Sequence, residues 1–245
     1  MVIPVVLGLG CFSPMQSATA AESDGSGFSV LVYSETAGFR HGSIPYGIRA
    51  IQKLGEEHNF KVEDTEDSEA FTPENLERFA VIVFNNTSGT LFDEQQRQAL
   101  KGFIRNGGGY VGIHAATDTE YDWAWYGRLS GAYFAGHPHV QEAVIQVEIP
   151  DHPSTKHLSE KWVRTDEWYN FRENPRDNVE VLLTLDTDSF EGSGMENDHP
   201  IAWYHEFDGG RAWYTGGGHT NESFEEPDFV QHILGGILWA AGKQD

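Results

Sequence analysis

The chain has 245 residues, with 38 acidic against 16 basic side chains and a formal net charge of −22. That field repels phosphate backbones and anionic membrane surfaces, which argues against both as partners and leaves neutral substrates and cations compatible. Hydrophobic residues at 39%, with 13% aromatic, suit a packed core rather than disorder, and the length suits one α/β domain.

Residues 1–12 (MVIPVVLGLGCF) are almost wholly apolar. A membrane-spanning helix needs about 20 such residues, so this run is too short to be one. Ala18-Thr19-Ala20 has the small-x-small form of a signal-peptidase site, although no basic residue precedes the apolar run. A signal peptide over 1–21 is expected, with export to the periplasm or outside the cell and no membrane partner for the mature form. Cys11, the only cysteine, falls inside that segment, so the mature chain would carry neither disulfide nor thiol. Residues 22–27 (ESDGSG) read as a flexible lead-in to one domain over 28–243.

Phe28 to Ser34 is a near-continuous apolar run, the pattern of a strand buried on both faces. A loop to Ser43 precedes a helix over 44–58, with Ile44, Ile48, Ile51 and Leu54 at helical spacing. A short strand near 60–65 comes next, then a small helix with Thr72 as cap and Pro73 at its first position. Ala80 to Phe84 is a second buried strand. Asp93 and Gln96 have capping-box spacing for a helix whose inner face carries Ala99, Leu100, Phe103 and Ile104. Gly107 to Gly109 ends that helix and turns into the strand Tyr110 to His114. This alternation predicts a doubly wound, mostly parallel sheet. Further strands are expected near 143–149, 179–185, 200–207 and 211–215, with a last helix capped by Asp228.

Ligands of open parallel sheets gather beyond the carboxyl ends of the strands. The segments that follow the predicted strands deliver Arg40 and His41, Asn86, His114 and Asp118, and His219. One imidazole at a strand end is ordinarily structural. Three of them at equivalent topological positions point to a shared polar site in which His41, His114 and His219 bind a divalent metal such as zinc, with Glu167 as a further candidate ligand. No HExxH or CxxC spacing supports this, so the expectation rests on topology alone. Between Asp118 and Tyr126, the aromatic residues Trp123, Trp125 and Tyr126 lie among carboxylates. They are either the core face of a helix or, with Trp168, a platform for a small carbohydrate substrate. His137 and His139 read as solvated residues of a turn, and His199 as structural. The turn that would carry a serine or cysteine nucleophile in elbow folds carries His114 instead, which disfavours acyl transfer.

Gly38-Phe-Arg-His41, Gly107-Gly-Gly-Tyr-Val-Gly-Ile-His-Ala-Ala-Thr-Asp118, Asp166-Glu-Trp-Tyr169, His199-Pro200 and Gly210-Arg-Ala-Trp-Tyr-Thr-Gly-Gly-Gly-His219 resemble the ThuA-like (trehalose utilisation) family, as does the closing segment from Phe229 to Gly242. The resemblance implies a flavodoxin-like α/β fold of the class I glutamine amidotransferase-like type, without the amidotransferase cysteine, and a role in carbohydrate catabolism. The expected function is an exported, metal-assisted enzyme that cleaves or transforms a glycoside, with elimination from a 3-keto-glycoside as one route. His41 or Glu167 would be the base and Asp118 the acid, with Arg40 and Asn86 binding substrate. The alternative is a non-catalytic carbohydrate-binding or assembly protein on the same fold.

Overall fold

The computed structural model describes residues 1–2 and 27–243. The expected signal segment, Cys11 and most of the lead-in therefore lie outside the described residues.

Among the described residues there are eleven strands and five α-helices. The first part comprises β1 (Ser29–Tyr33), α1 (Ile44–His58), β2 (Lys61–Thr65), α2 (Pro73–Leu76), β3 (Val81–Asn85), α3 (Glu94–Arg105) and β4 (Gly109–Ile113). It continues through α4 (Ala124–Ser130), β5 (Phe134–Gly136), β6 (Gln141–Val147), β7 (Lys161–Asp166) and β8 (Asn170–Phe171). The last part comprises β9 (Glu180–Leu185), β10 (Pro200–Phe207), β11 (Gly210–Thr215) and α5 (Pro227–Ala240).

Nine strands form one mixed sheet in the order β2-β1-β3-β4-β11-β10-β9-β6-β7. From β2 to β11 the neighbours are parallel, and from β11 to β7 they are antiparallel. Every residue of β3 and β4 is buried, as the unbroken apolar runs require for strands covered on both faces. Tyr33, Phe71, Phe84 and Phe92 pack ring against ring beside β1 and β3, with centroids 4.5 to 6.2 Å apart. Such aromatic contacts add about 0.5–1.5 kcal/mol per pair beyond the area they bury.

The local signals hold where they concern neighbours in sequence. The Asp93 carboxylate accepts from the Gln96 amide at 2.8 Å, and the Gln96 side chain accepts from the Asp93 amide at 2.8 Å, completing the capping box. Thr72 caps α2 as read. Asp228 does not cap α5. Pro227, with its fixed φ, starts the helix two residues earlier than that cap would, and the Glu226 side chain at the N-cap position is turned to an ion pair with Arg164. Three strands, β5, β7 and β8, carry no clear strand pattern in the sequence. β7 is an edge strand whose residues alternate exposed and buried only in part, and Arg164 and Asp166 occupy its two buried positions.

The antiparallel half curls back toward α5. Arg164 of β7 lies over the Phe229 ring at 4.2 Å from its centroid, which brings the carboxyl end of β7 to the carboxyl end of β11. In α5, His232 is fully buried, with Nδ1 2.7 Å from the carbonyl of Ser154. Burial pushes its pKa from 6.5 down to about 3.

An unfolded histidine binds its proton near pH 6.5, so folding disfavours protonation of His232. Its contribution to stability is complete above pH 6.5 and declines as the pH falls from there toward 3. The loss for one such proton is about 1.4 kcal/mol per pH unit. Stability measured by denaturant between pH 7 and 4.5 should fall less steeply in His232→Gln than in the parent, whatever their difference at pH 7. Parallel curves would contradict this assignment.

Candidate metal centre

His114 ends β4 on a left-handed backbone, with φ at 48°. That conformation is costly for a residue with a Cβ, and here the surroundings hold it. The Tyr214 hydroxyl donates to the His114 carbonyl at 2.8 Å. The His114 ring meets the Gly216 carbonyl through Nδ1 at 2.7 Å. A carbonyl only accepts, so Nδ1 carries the proton and Nε2 presents a lone pair. The strained turn fixes this ring at the carboxyl end of β4, fully buried.

His41 comes from the loop after β1, and its ring stands edge-on to His114 and to His219 at centroid distances of 4.9 and 5.1 Å. His219 follows β11. Glu167 follows β7, and its Oε2 lies 3.4 Å from His114 Nε2 and 3.1 Å from His219 Nδ1. One donor atom from each of His41, His114, His219 and Glu167 falls within 4.8 Å of the others. His41 Nδ1, His114 Nε2 and His219 Nδ1 are buried without a hydrogen-bond partner. Buried polar atoms normally have one, and three unmatched imidazole nitrogens around one carboxylate are what a cation would satisfy. The cluster could therefore hold a metal ion.

The electrostatics agree. Burial, reinforced by the neighbouring His114 and His219, pushes the His41 pKa down to about 3, so its ring is neutral, as a ligand must be. Burial alone would raise Glu167, but His114 and His219 outweigh it and hold the carboxyl below the usual range. The Glu167 contact raises His219 against the opposing effect of burial.

One carboxylate places two of the four donors. Asp166 is fully buried and accepts from the Gly218 amide at 2.8 Å, the His219 amide at 3.1 Å and the Glu167 amide at 2.9 Å. The Ser223 hydroxyl donates to it at 2.9 Å, and Arg164 pairs with it at 3.2 Å. Any side chain at position 217 would collide with the Arg164–Asp166 pair, which explains a glycine there. From the other side, Ser43 leaves α1 uncapped and donates instead to the Gly218 carbonyl at 2.9 Å. The Asn86 side chain joins it there at 3.2 Å.

Of the remaining expected site residues, Asp118 stays within electrostatic reach of His114 and His137, and the others are turned to other partners. Asn86 is buried as a brace for Gly218 rather than open to a ligand. Arg40 points to Glu66 in a two-bond ion pair of 2.7 and 2.8 Å. Asp118 lies at the end of the short 3-10 turn that starts with His114. Burial raises its pKa against the Tyr121 hydroxyl that donates to it at 2.6 Å. The aromatic platform requires correction. Tyr126 and Trp168 are fully buried, and Trp168 spends its N–H on the Gln141 carbonyl at 2.9 Å. Trp123 and Trp125 stack on each other, and Trp125 donates to Asp208 in the β10–β11 hairpin, at the opposite end of the sheet from the centre. Trp123, Trp125 and Tyr126 are core because the start of α4 packs its aromatic face inward, and Trp168 is core because the turn between β7 and β8 folds it against β6. His137 is solvent-exposed as expected, and in addition brings Nδ1 to 3.0 Å from Glu167 Oε1. The signal for Asp166 was its i, i+2 spacing from Arg164, which puts both on one face of a strand.

Replacing Asp166 by Asn would leave the Arg164 charge buried with Glu226 as its remaining acid partner, and would oppose an amide to backbone N–H groups. Breaking a buried pair in this way costs about 3–5 kcal/mol. Asp166→Asn should lose stability of that order in denaturant, with faster hydrogen exchange at Gly218 and His219. Unchanged protection of those two amides would contradict the stapling role.

Among solved structures the chain is similar to a ThuA-like protein from Bacteroides uniformis, with 25% identity and a TM-score of 0.73 over 91% of this chain and 94% of that one. A ThuA-like protein from Parabacteroides merdae shows the same fold at 19% identity, with a TM-score of 0.74 over 89% of this chain and 92% of that one. No curated protein matches the sequence. The family model ThuA, trehalose utilisation, matches residues 29–240, nearly all of the described chain. The chain therefore belongs to the ThuA family.

Proposed function

We infer that this protein is a metal-assisted enzyme that cleaves a glycoside, with the sugar presented in its 3-keto form and the bond broken by elimination. The observation that carries this reading is the convergence of three buried imidazoles on the one carboxylate of Glu167. The ThuA, trehalose utilisation, family supports a sugar as substrate. A divalent ion held by His41, His114, His219 and Glu167 would supply Lewis-acid stabilisation for negative charge developing on substrate oxygens. Four protein donors complete a tetrahedral zinc shell, so an ion that accepts five or six ligands suits catalysis better here.

With His41 and Glu167 in the ligand set, the base role moves to a neighbour. His137 Nδ1 faces two acceptors, Glu167 Oε1 at 3.0 Å and the Pro138 carbonyl at 2.9 Å, so it carries the proton and Nε2 is free to take one. Its half-exposed ring is accessible to a substrate. The 3-keto group makes the C2 hydrogen acidic. His137 removes that proton, and the electron pair delocalises into the ketone as an enediolate. Collapse restores the C3 carbonyl, forms the C1–C2 double bond and breaks the C1–O bond. Asp118, whose carboxyl burial pushes upward, is the group that would give a proton to the leaving oxygen. A well-placed base contributes about 10²- to 10⁴-fold. The same proposal locates the mature chain in the periplasm or outside the cell, on the strength of the apolar run at 1–12 and Ala18-Thr19-Ala20.

Two measurements test this reading. Elemental analysis of protein purified without added metal should find bound divalent metal, and His219→Ala, which removes a half-buried ligand, should bind it at least about tenfold more weakly. Undiminished metal affinity in His219→Ala would remove that residue from the ligand set. Cleavage of a 3-keto-glycoside in deuterated water should place deuterium at C2 of the released sugar or accumulate an unsaturated product. Cleavage with C2 unlabelled and no unsaturated intermediate would rule out elimination in favour of hydrolysis.

A further inference from the structure

Phe39 has no structural reason to be where it is. Its side chain is 64% exposed, more than any other large apolar side chain described between residues 27 and 243. Its ring stands edge-on to the His41 ring, 4.8 Å between centroids, at the mouth of the His/Glu cluster. The exposure is not that of a loose loop. The amides of Ala37 and Gly38 both donate to the Ser88 carbonyl, at 2.8 and 3.2 Å. The Ser88 hydroxyl donates to the Phe39 carbonyl at 2.7 Å. Gly38 lies so close that even a Cβ would meet Ser88 Oγ at 3.2 Å. The adjacent Arg40 side chain is engaged by its two bonds to Glu66. A phenyl ring is thus presented to solvent on a braced segment, next to a buried polar centre. Folding gains little from that placement, and the burial energy of the ring is available to a ligand instead.

A pyranose ring fits such a surface. Its axial C–H groups make an apolar face, while its hydroxyl and keto oxygens project from the edge. Seated on Phe39, a sugar would rest its C–H face on the phenyl ring and could turn oxygens toward His41. We propose that Phe39 is the stacking platform of the substrate subsite, and that the ligand it selects is a pyranoside. It replaces the buried tryptophans as the aromatic partner of the sugar. This rests on the carbohydrate reading above and adds to it a residue and a mode of binding.

Calorimetric titration of the full chain with a panel of methyl pyranosides, native and 3-keto, tests the proposal without relying on turnover. Phe39→Ala should weaken sugar binding about tenfold, whereas Phe39→Tyr and Phe39→Trp, which keep a ring face, should stay near the parent. Metal content should be the same in all four proteins, since Phe39 supplies no ligand. If the parent binds a pyranoside and Phe39→Ala binds it equally well, the platform is wrong and the carbohydrate reading stands. If the parent binds no member of the panel, the carbohydrate reading fails and the platform fails with it.

Discussion

The carboxylate of Asp166 is bonded to three backbone amides, a serine hydroxyl and an arginine, all away from bulk water. A buried charge is stable only when its partners are complete, and removing any of them exposes the remainder to the full penalty of desolvation. Its partners come from β7, from the loop after β11 and from the 3-10 turn before α5, so those three segments can adopt one mutual arrangement. That arrangement carries Glu167 and His219 to the same point. Ser43 and Asn86 fix the opposite side of the Gly218 turn, and through it the loops that follow β1 and β3. Gly217 is open to the Arg164–Asp166 pair because it lacks a side chain.

The centre is thereby preorganised before any ion arrives. His114 is aimed by the strained elbow and by the Gly216 carbonyl. His41 is held neutral by burial. Successive donors lie more than fifty residues apart in sequence, and the parallel half of the sheet gathers three of them at its carboxyl edge. The fourth arrives because the antiparallel half curls over α5. A net charge of −22 adds a long-range attraction for cations to this local geometry.

Much of this was legible because it is local. Buried parallel strands show as unbroken apolar runs, and β3 and β4 were read on that ground. The capping box at Asp93 is a contact between residues three apart. The three histidines were found by topology, since the strand-end rule needs only strand positions and their order. What was illegible depends on long-range packing. Trp123, Trp125, Tyr126 and Trp168 have the composition of a sugar platform, and composition does not say which side of a helix faces the core. His137 reads as a turn residue until Tyr169 and Glu167 are placed beside it. Phe39 looks like an ordinary apolar residue, and its exposed placement is braced by Ser88, which lies far along the chain. Asp166 and Glu167 are adjacent carboxylates, and nothing local distinguishes the one that staples from the one that can bind an ion.

The central claim is that four donors from four loops make one cation site. Crystals of the protein grown with manganese and measured on both sides of the metal absorption edge test it most directly. The account predicts one strong anomalous peak surrounded by His41, His114, His219 and Glu167. Full occupancy elsewhere on the molecule, with no peak among those four side chains, would contradict it.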